Sequence, residues 1–567
     1  MKNILVLLLI LSQSAMAQPR YSIVIDEIMA DPSPVVSLPS SEWIELRNTS
    51  NAPINLQNWR IGDASNQSGP MPLFILEPDS LLIVCSATTL PLLSVYGNAV
   101  SVTGFPSLDN DGDLLFIKSS TGMIIHAVNY SSAWYNNVLK KEGGWTLEMI
   151  DTNNPCTGSD NWNASVSLIG GTPGKVNSVN AITVDNTASE LVNAFTNNNT
   201  TVVIEYDEPV DSLSGATTTN YSIDGGLTVS NAITLPPLFT QVQLTLNNPM
   251  IAGNIYTISA NHVKDCLSNE INTIDTIKTG LPAEASTRDL IINEVLFNPR
   301  PNAFDYIECY NNSQKIIDAA KLSIANRNSN NVISTIRSLS TVPHYIFPGD
   351  YIVITENADN LGLNYLVKFP GNVLSPATLP SFPDQQGDVV LLNAQGEIID
   401  EVAYDEDWHF KLLNNKEGVS LERIDPNGNS NDPQNWHSAA STAGYGTPTY
   451  KNSQYKNLSG ISASIDIRPT VFSPDNDGRD DVATIQYKTE APGYVANVII
   501  FDITGRSVRY LIHNALLGNT GYWNWDGLGD RGQQLSVGPY IILTEIFNLQ
   551  GKKDHFRNTI VLARKFK

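Results

Sequence analysis

The sequence has few of the residues and motifs that enzymes of this length use for chemistry. Only four cysteines and seven histidines occur among its 567 residues, and none of them stands at the spacing of a metal site. It has no G-x-S-x-G elbow, H-E-x-x-H pair, phosphate-binding loop or dinucleotide-binding glycine series. A Ser-His-Asp set can be dispersed along a chain, so these absences lower the odds of catalysis without disproving it. We therefore predict that the protein is not an enzyme.

Positive charge is also scarce. The chain has 34 basic against 57 acidic residues, which gives a formal net charge of -23. Nucleic-acid binding rests on clustered Lys and Arg that neutralise phosphates, so nucleic acid is not expected as a partner. Only 16% of the residues are charged, and Asn, Ser and Thr are abundant. This composition favours exported β domains with polar turns over a cytosolic enzyme.

Long apolar runs are missing after the first residues of the chain. Lys2 precedes an apolar run at 4–11, and the small residues AMA at 15–17 form a cleavage site, which together predict a secretory signal peptide at 1–17. The run is too short to span a bilayer, which needs about 20 residues. No later segment is long and apolar enough. We predict an exported chain with no membrane span after signal cleavage, extracellular or at the cell surface, with the periplasm as the alternative.

The four cysteines are too few to form a disulfide framework in so long a chain. Cys309 occupies an apolar position in DYIECYN, which indicates a buried thiol. Cys156 and Cys266 both lie in polar loops, and an exported chain can keep disulfides. If one pair bonds, we predict that it is Cys156 with Cys266.

A long internal repeat is present. The phrase KEGGWTLEMID at 141–151 returns as KEGVSLERID at 416–425, and SIVIDEIMADPSP at 22–34 returns as DLIINEVLFNPRP at 289–301. Further blocks, among them SEWIELRN and FDYIECYN, keep their order and spacing in the two copies. This order indicates a duplicated domain of about 160 residues and not a short-period solenoid.

Most of the repeated blocks have the pattern of β-strands. Short runs alternate apolar and polar residues, are rich in Ile, Val, Leu, Tyr and Trp, and end at Gly, Pro, Asn or Asp. Many short strands with turn signals predict an all-β chain of four tandem immunoglobulin-like β-sandwich domains after the signal peptide. We call them the first repeat, the middle module, the second repeat and the terminal module, at residues 18–178, 179–281, 286–453 and 460–567.

The motifs of the two repeats resemble the lamin tail domain, an immunoglobulin-like β-sandwich of nuclear lamins and of exported bacterial proteins. The series is I-x-E-[IV], [WY]-I-E, L-x-x-W-x-[IL], G-D-x-[LV], L-E-x-I-D, N-W and T-P. The second copy departs from it with AAKLSIAN for LQNWRIGD and TPT for TPG, which puts local turns in question but not the fold. The middle module is similar to small bacterial immunoglobulin-like modules of surface proteins.

The terminal module resembles the immunoglobulin-like C-terminal domain of flagellar hook-capping proteins and of sorted surface proteins of gliding bacteria. The motifs FSP-x-x-DG-x-x-D, I-x-D-x-x-G and WDG…G-x-Y are matched by Phe472, Pro474, Gly478, Gly505, Trp525, Gly527 and Tyr540. In gliding bacteria such domains carry cargo through a dedicated outer-membrane secretion route. The resemblance therefore implies outer-membrane secretion machinery as a partner of this module.

An acidic turn in the terminal module is the first candidate for a calcium site. Asp475, Asp477 and Asp481 surround Gly478 in SPDNDGRDDV. Calcium needs several hard oxygen ligands, and a glycine permits the sharp turn that lets carboxylates converge. The other interpretation is an Asx-rich turn, whose side chains bond their own backbone. Calcium is the one cofactor that the sequence suggests.

A second acidic turn, in the first repeat, is the weaker candidate for calcium. Asp109, Asp111 and Asp113 alternate in LDNDGDLL. The equivalent stretch of the second repeat reads PDQQGDVV, so the acid of the first loop is not needed for the fold.

Paired glutamates recur in both repeats. Glu27 with Glu45, and Glu294 with Glu308, stand on adjacent predicted strands. Two facing carboxyls can split their pKa values and act as acid and base. Alternatively, each accepts hydrogen bonds from the backbone or from Asn side chains at a sheet end. We favour this structural role, because the pairs recur in both copies and no nearby His or Lys recurs with them.

Few other side chains remain as candidates for a site. His126 aligns with Asp400 of the second repeat, so this position tolerates different chemistry and is a poor catalytic candidate. Trp134-Tyr135 and Trp408 follow predicted strands in loops, where aromatic rings can stack on a sugar or contact a partner protein. We favour the other interpretation, that these rings pack onto their own domain.

Together these features predict a non-catalytic exported scaffold, or an adhesion or tethering protein, displayed at the cell surface or released. Binding is expected at loops at the ends of the sandwiches, to an unknown extracellular protein or polysaccharide. The alternative is a secreted hydrolase of nuclease or phosphoesterase type with a metal site in an acidic loop, because bacterial lamin tail domains often accompany such enzymes.

Overall fold

The computed structural model describes residues 19–413, 415–456 and 463–564. The predicted signal peptide at 1–17 lies outside these ranges. The described chain consists mainly of β-strands, with short helices between them, which confirms the predicted all-β class. It divides into two compact units, of which the first ends at Thr279 and the second comprises the residues from Gly280 onward together with 252–255.

The first repeat is built from a large and a small β-sheet. Its elements are β1 (Ile23–Met29), β2 (Trp43–Asn48), β3 (Ile54–Asn55), β4 (Arg60–Gly62), β5 (Ile75–Leu76), β6 (Leu81–Cys85), α1 (Leu90–Leu93), β7 (Ala99–Ser101), β8 (Gly112–Lys118), β9 (Ile124–Ser131), β10 (Leu147–Met149) and β11 (Trp162–Ala164). They form a six-stranded sheet β11-β10-β1-β2-β6-β7, a three-stranded sheet β4-β8-β9 and the pair β3-β5.

Apolar side chains from both sheets of the first repeat form one core. Ile25 and Leu46 of the larger sheet share this core with Ile61 and Ile117 of the smaller sheet. A second cluster, around Trp43, covers the other face of the larger sheet. Because β1 is buried on both faces, it reads IVIDEIM and does not alternate with polar residues. Its two acidic residues are therefore taken into the interior.

The middle module is a smaller sandwich. It contains β12 (Leu191–Asn198), β13 (Thr201–Tyr206), α2 (Ser212–Gly215), β14 (Tyr221–Ile223), β15 (Val229–Leu235), β16 (Gln241–Leu246), β17 (Ile255–Ala260) and β18 (Asp275–Gly280). The strands form a four-stranded sheet β12-β13-β16-β15 and a three-stranded sheet β14-β17-β18.

A disulfide joins the first repeat to the middle module. The bonded pair is Cys156 and Cys266, with a Cα–Cα distance of 6.2 Å, and this is the pairing predicted from the sequence. Cys85 and Cys309 are buried free thiols. Arg20 adds a polar contact between the same two domains, because its guanidinium donates to the carbonyl of Val210 at 3.1 Å.

The second repeat has the topology of the first, with one strand added to the smaller sheet. It contains β19 (Leu290–Leu296), β20 (Tyr306–Asn311), β21 (Ile317–Asp318), β22 (Ser323–Arg327), β23 (Ile333–Ser338), β24 (Tyr345–Ile346), β25 (Tyr351–Thr355), α3 (Ala358–Asn364), β26 (Val373–Leu374), β27 (Gln386–Leu392), β28 (Ile398–Asp405), β29 (Leu421–Arg423) and β30 (Trp436–Ser438). The sheets are β26-β25-β20-β19-β29-β30, β23-β22-β27-β28 and β21-β24, and β23 is the added strand.

The two departures of the second repeat from the motif series leave its turns intact. Leu322 takes the buried position of Trp59, and both are 2% exposed. Thr449 stands where the first repeat has Gly174, and both residues adopt a left-handed backbone with φ of +72°. A threonine is strained in this region. Its hydroxyl accepts the N–H groups of Lys368 and Phe369 at 3.0 and 3.1 Å, which helps to hold this conformation.

The terminal module contains eight described strands. They are β31 (Ser464–Arg468), β32 (Val471–Phe472), β33 (Ala483–Lys488), β34 (Tyr494–Asp502), β35 (Ser507–Leu516), β36 (Thr520–Trp525), β37 (Gly538–Asn548) and β38 (Lys553–Leu562), in sheets β31-β33-β36 and β32-β38-β37-β34-β35. The module packs on the second repeat, where Phe410 forms a buried cluster with Val495 and Leu516. Gln454 also donates to the carbonyl of Leu517 at 3.0 Å.

Within residues 19–413, 415–456 and 463–564, none of the helices has the length and apolar character needed to cross a bilayer.

The disulfide between Cys156 and Cys266 is expected to stabilise the first unit. Its two cysteines are 110 residues apart, and a cross-link over a long loop restricts the unfolded chain. Removing it with the double substitution Cys156→Ser/Cys266→Ser should lower the free energy of unfolding by about 2–5 kcal/mol. Urea unfolding of the full chain measures this, with and without reductant. Reductant should destabilise the wild type and leave the double variant unchanged; an unaffected wild type contradicts the expectation.

Candidate functional site

Three glutamates lie side by side at the centre of the larger sheet in each repeat. In the first repeat, Glu27 on β1 stands opposite Glu45 on β2 and opposite Glu148 on β10. In the second repeat, the same places are taken by Glu294, Glu308 and Glu422. All six residues are 0% exposed. We call each set of three a glutamate triad. The third member of each triad lies in the repeated phrase at 141–151 and 416–425. This role explains in part why the phrase occurs in both repeats.

The triad of the first repeat binds the segment that closes the domain, residues 170–179. Glu27 accepts the N–H of Thr172 at 2.7 Å, and Glu45 accepts the N–H of Gly174 at 2.7 Å. Glu148 accepts the hydroxyl of Thr172 at 2.9 Å, the hydroxyl of Ser178 at 2.7 Å and the N–H of Val179 at 3.1 Å. The carboxyl groups thus satisfy backbone donors that would otherwise be buried without partners.

The triad of the second repeat binds residues 445–454 in the same way. Glu294 accepts the N–H of Thr447 at 2.9 Å, and Glu308 accepts the N–H of Thr449 at 2.6 Å. Glu422 accepts the hydroxyl of Thr447 at 2.9 Å and the N–H of Gln454 at 2.8 Å. We call 170–179 and 445–454 the closing segments. Both repeats show the predicted acceptor role of the paired glutamates, but at the centre of the sheet and not at a sheet end.

Burial keeps triad carboxyls of both repeats protonated near neutral pH. Loss of hydration raises the pKa of Glu27 to about 8, and the charge of Glu148 raises it further. Loss of hydration, with the charge of Glu27, raises the pKa of Glu45 to about 10. In the second repeat the pKa of Glu422 is raised to about 8, by burial and then by Glu294. A neutral carboxyl group can enter the interior at far lower cost than a carboxylate.

A bulge in the first strand of each repeat leaves one backbone N–H for a side chain to accept. In the first repeat, Nδ1 of His126 accepts the N–H of Ile25 at 2.9 Å, and burial lowers the pKa of His126 to about 3, so that it is neutral. In the second repeat, Asp400 accepts the N–H of Ile292 at 2.8 Å. Its charge is matched by the buried Arg423 at 3.4 Å. A neutral imidazole in one repeat and a carboxylate paired with arginine in the other therefore accept the equivalent backbone N–H.

An open groove lies at one end of the first repeat. It has a volume of about 500 Å³ and lies between residues 63–67, residues 104–109 and the start of β8. Asp63, Asp109 and Asp113 contribute carboxyl groups to its lining. The hydroxyl of Tyr130 donates to the carbonyl of Asp109 at 2.7 Å and so fixes one wall. We call this the first groove.

The carboxylate oxygens of Asp109, Asp111 and Asp113 do not come together within 4.8 Å. Asp113 instead accepts its neighbour's N–H, that of Leu114, at 2.8 Å. The structure thus places Asp109 and Asp113 on a common groove and does not form the predicted calcium cluster from all three.

The second repeat has a groove at the corresponding place. Its volume is about 520 Å³, and it lies between the end of β22, residues 381–383, the start of β27 and the end of β28. Asp388 follows a glycine near the start of its strand, as Asp113 does in the first groove. The hydroxyl of Tyr404 donates to the carbonyl of Pro383 at 2.9 Å and fixes the wall, like Tyr130 in the first repeat. We call this the second groove. Neither groove was predicted from a sequence motif.

The loop tryptophans differ in what they contribute to these grooves. Trp134 packs against Trp162 with ring centroids 6.2 Å apart, and Trp408 packs against Trp436 at 6.3 Å. Both therefore rest on their own domain, as predicted. Trp408 also lines the second groove, whereas Trp134 does not belong to the lining of the first.

The structure brings the acidic turn of the terminal module together. The carboxylate oxygens of Asp475, Asp477 and Asp481 lie within 4.8 Å of one another. The two oxygens of Asp481 accept the N–H groups of Asn476 at 2.7 Å and Gly478 at 2.8 Å. The turn therefore combines converging carboxylates, which calcium needs, with the backbone bonds of an Asx turn. Calcium at this turn stays a prediction.

A second acidic cluster, missed in the sequence, lies in the middle module. Oxygens of Asp185, Glu208 and Asp265 come within 4.8 Å of one another. Burial raises the pKa of Glu208 to about 8, helped by the charges of Asp265 and Asp185. Asp265 accepts the N–H groups of Leu267 and Asn269 at 2.8 Å each. No spacing rule joins three acids from separate segments, and the sole sequence signal is that Asp265 precedes a disulfide cysteine.

Comparison with known proteins identifies the family that the repeats resemble. Residues 17–132 and 283–406 each match the sequence model of the lamin tail domain. The matched segments end before the repeated phrase, so Glu148 and Glu422 come from parts of the chain that follow the match. No curated protein matches the chain.

Solved structures show distant likenesses. The N-terminal part of the bacterial S-layer protein SbsC is 13% identical, with a TM-score of 0.16, over 30% of this chain and 40% of that one. PorZ from Porphyromonas gingivalis, a surface component of the type-IX secretion system, is 9% identical, with a TM-score of 0.17, over 80% of this chain and 56% of that one. These likenesses are too low to carry an inference about function.

The glutamate triad predicts that the first repeat loses stability as pH rises. The pKa of Glu45 is raised in the fold, so the folded state holds a proton that the unfolded chain releases above its ordinary pKa of about 4.5. Stability is therefore greatest below that pH and falls, by up to about 1.4 kcal/mol per pH unit, until pH passes the raised pKa. Glu45→Gln should flatten this slope between pH 5 and 9 in urea unfolding. The exposed Glu77→Gln is the control, and equal slopes for both variants contradict the prediction.

The buried pair of the second repeat predicts a rescue between two substitutions. Arg423→Met leaves Asp400 buried without a cation and should cost about 3–5 kcal/mol of unfolding free energy. Adding Asp400→His recreates the His126 and Met149 arrangement of the first repeat and should recover at least half of the loss. Urea unfolding of the full chain measures both variants, with Met149→Leu as the control. A double variant no more stable than Arg423→Met contradicts the proposed equivalence.

Proposed function

Because this chain carries two lamin tail domains, we propose that it is an exported, non-catalytic scaffold that binds through loops at the ends of its sandwiches. It acts as an adhesion or tethering protein, displayed at the cell surface or released. The predicted signal peptide and the low charge content of the chain support export. Its partner is an extracellular protein or a polysaccharide.

The paired grooves are the observation that supports binding over chemistry. In each repeat the glutamates of the triad are engaged in closing the domain, and all six are 0% exposed. At the sandwich end, by contrast, both repeats keep an open groove of about 500 Å³ and 520 Å³. These volumes lie within the range of about 300–1,000 Å³ for ligand sites. Loops on a rigid sandwich are the usual place for binding.

Secretion through the outer membrane is proposed for the terminal module. The motif residues that carry its resemblance to sorting domains pack together: the ring of Trp525 lies 5.1 Å from Phe472 and 5.4 Å from Tyr540. Calcium is proposed at Asp475, Asp477 and Asp481, where it would rigidify an exposed turn.

The alternative is a secreted hydrolase that uses a metal at this turn. Turnover of DNA or a phosphoester that is lost in Asp481→Asn would favour that alternative.

Truncation tests the sorting role of the terminal module. Cells expressing the intact chain should lose it to external protease, whereas a chain truncated after residue 459 should stay protected inside the cell envelope. Fractionation followed by immunoblotting measures both, and a periplasmic marker that survives protease shows that the cells are intact. If both forms stay in the periplasm, the terminal module is a structural sandwich only and display at the surface is contradicted.

A further inference from the structure

We propose that the second groove binds a neutral saccharide chain, with Trp408 as the surface on which a sugar ring stacks. The inference rests on the proposed scaffold function, because it names the ligand class of one of its grooves. It concerns the second repeat alone, since Trp134, the counterpart of Trp408, does not line the first groove, whose one aromatic lining residue is Phe105.

The aromatic wall of the groove is held rigidly. Trp408 ends a 3-10 turn whose N-cap is Asp405, and this side chain accepts the N–H of Asp407 at 2.8 Å. The indole packs on Trp436 and remains only partly buried, while it also lines the groove. A ring fixed in this way offers a flat apolar surface at little cost in conformational entropy. The C–H face of a pyranose ring needs such a surface.

Other residues of the groove lining supply hydrogen-bonding groups. Asp388, Gln386 and Asn328 line the groove and offer carboxylate and amide groups that match sugar hydroxyls, which both donate and accept. Oδ1 of Asn326 lies among them as a buried acceptor with no hydrogen-bond partner in the described structure, although its Nδ2 donates to Ser381. An unused acceptor beside an aromatic ring fits a polyhydroxylated ligand better than an apolar one.

The charge of the groove argues against an anionic ligand. Its one cationic lining residue, Arg327, is held by both carboxylate oxygens of Glu401, at 2.5 and 3.0 Å. The carboxyl groups of Asp388 and Asp405 also line the groove and would repel phosphate, sulfate or uronate groups. A neutral saccharide pays no such electrostatic cost.

The shape of the groove fits a chain more than a single sugar. Gly387 lies so close to Tyr404 that a Cβ at this position would come within 2.5 Å of the tyrosine hydroxyl. Tyr404, which is 1% exposed, therefore packs closely against β27, and the exposed Ala403 beside it leaves the groove open. An open groove admits an internal stretch of a polysaccharide, which suits a tethering protein.

Affinity electrophoresis of the full chain tests the proposal. Soluble dextran, xylan, mannan and laminarin are the neutral probes, and polygalacturonate is the anionic one. At least one neutral probe should retard the wild type, and Trp408→Ala should weaken that binding at least tenfold. Trp134→Ala is the matched control, because Trp134 packs on its own domain in the same way and does not line the first groove; it should bind like the wild type.

A second variant keeps the test decisive if Trp408→Ala fails to fold. Ala403→Arg fills the groove from an exposed position without removing a core contact and should also abolish retardation. Its matched control is Asn129→Arg, at the exposed counterpart position of the first repeat. Failure of every neutral probe, retardation by polygalacturonate alone, or equal losses in the Trp408 and Trp134 variants each overturn the proposal. Display at the surface is measured separately by protease access, so the scaffold function can stand when saccharide binding fails.

Discussion

The structure of each repeat depends on a hydrogen-bonded contact between three buried glutamates and the closing segment. Without it, the N–H groups of residues such as Thr172 and Thr447 would be buried with no acceptor. One carboxyl group can accept hydrogen bonds from several donors, so a single residue of the sheet pairs several buried N–H and O–H groups. The requirement links strands that are far apart in sequence, since β1, β2 and β10 must align for the triad to form. The duplicated phrase is one part of that requirement.

This constraint also shapes what the protein can do. Acidic groups that could have served as an acid–base pair are buried and engaged, which leaves the sandwich ends, where the two repeats differ, for the proposed binding. One groove is lined by three aspartates and the other carries a tryptophan and a paired arginine. A common frame with divergent ends is what a modular binding protein needs. The disulfide and the packing of the terminal module then tie neighbouring domains together.

Much of the fold follows from sequence pattern, and less of the site does. The strands could be predicted from the periodicity of apolar residues, and the duplication from the ordered repetition of motifs. The Cys156–Cys266 pair could be predicted because both cysteines lie in polar loops. The role of Glu27 and Glu45 followed from their recurrence without a partner base. The triad's third member was not predicted, because only strand pairing places Glu148 beside Glu27. The grooves were missed for the same reason: the walls of the first come from three separate segments and those of the second from four, and cavities depend on tertiary packing.

A carboxyl titration tests the central claim, that Glu45 helps to close the first repeat as a protonated acceptor. The chain can be labelled with 13C at the glutamate side-chain carboxyl carbons and followed by NMR from pH 4 to pH 11, with Glu45→Gln used to assign the Glu45 signal. The account predicts that Glu45 titrates with a pKa of about 10. A midpoint near 4.5, the ordinary value for glutamate, would show an ionised carboxylate in the closed fold and would contradict the account.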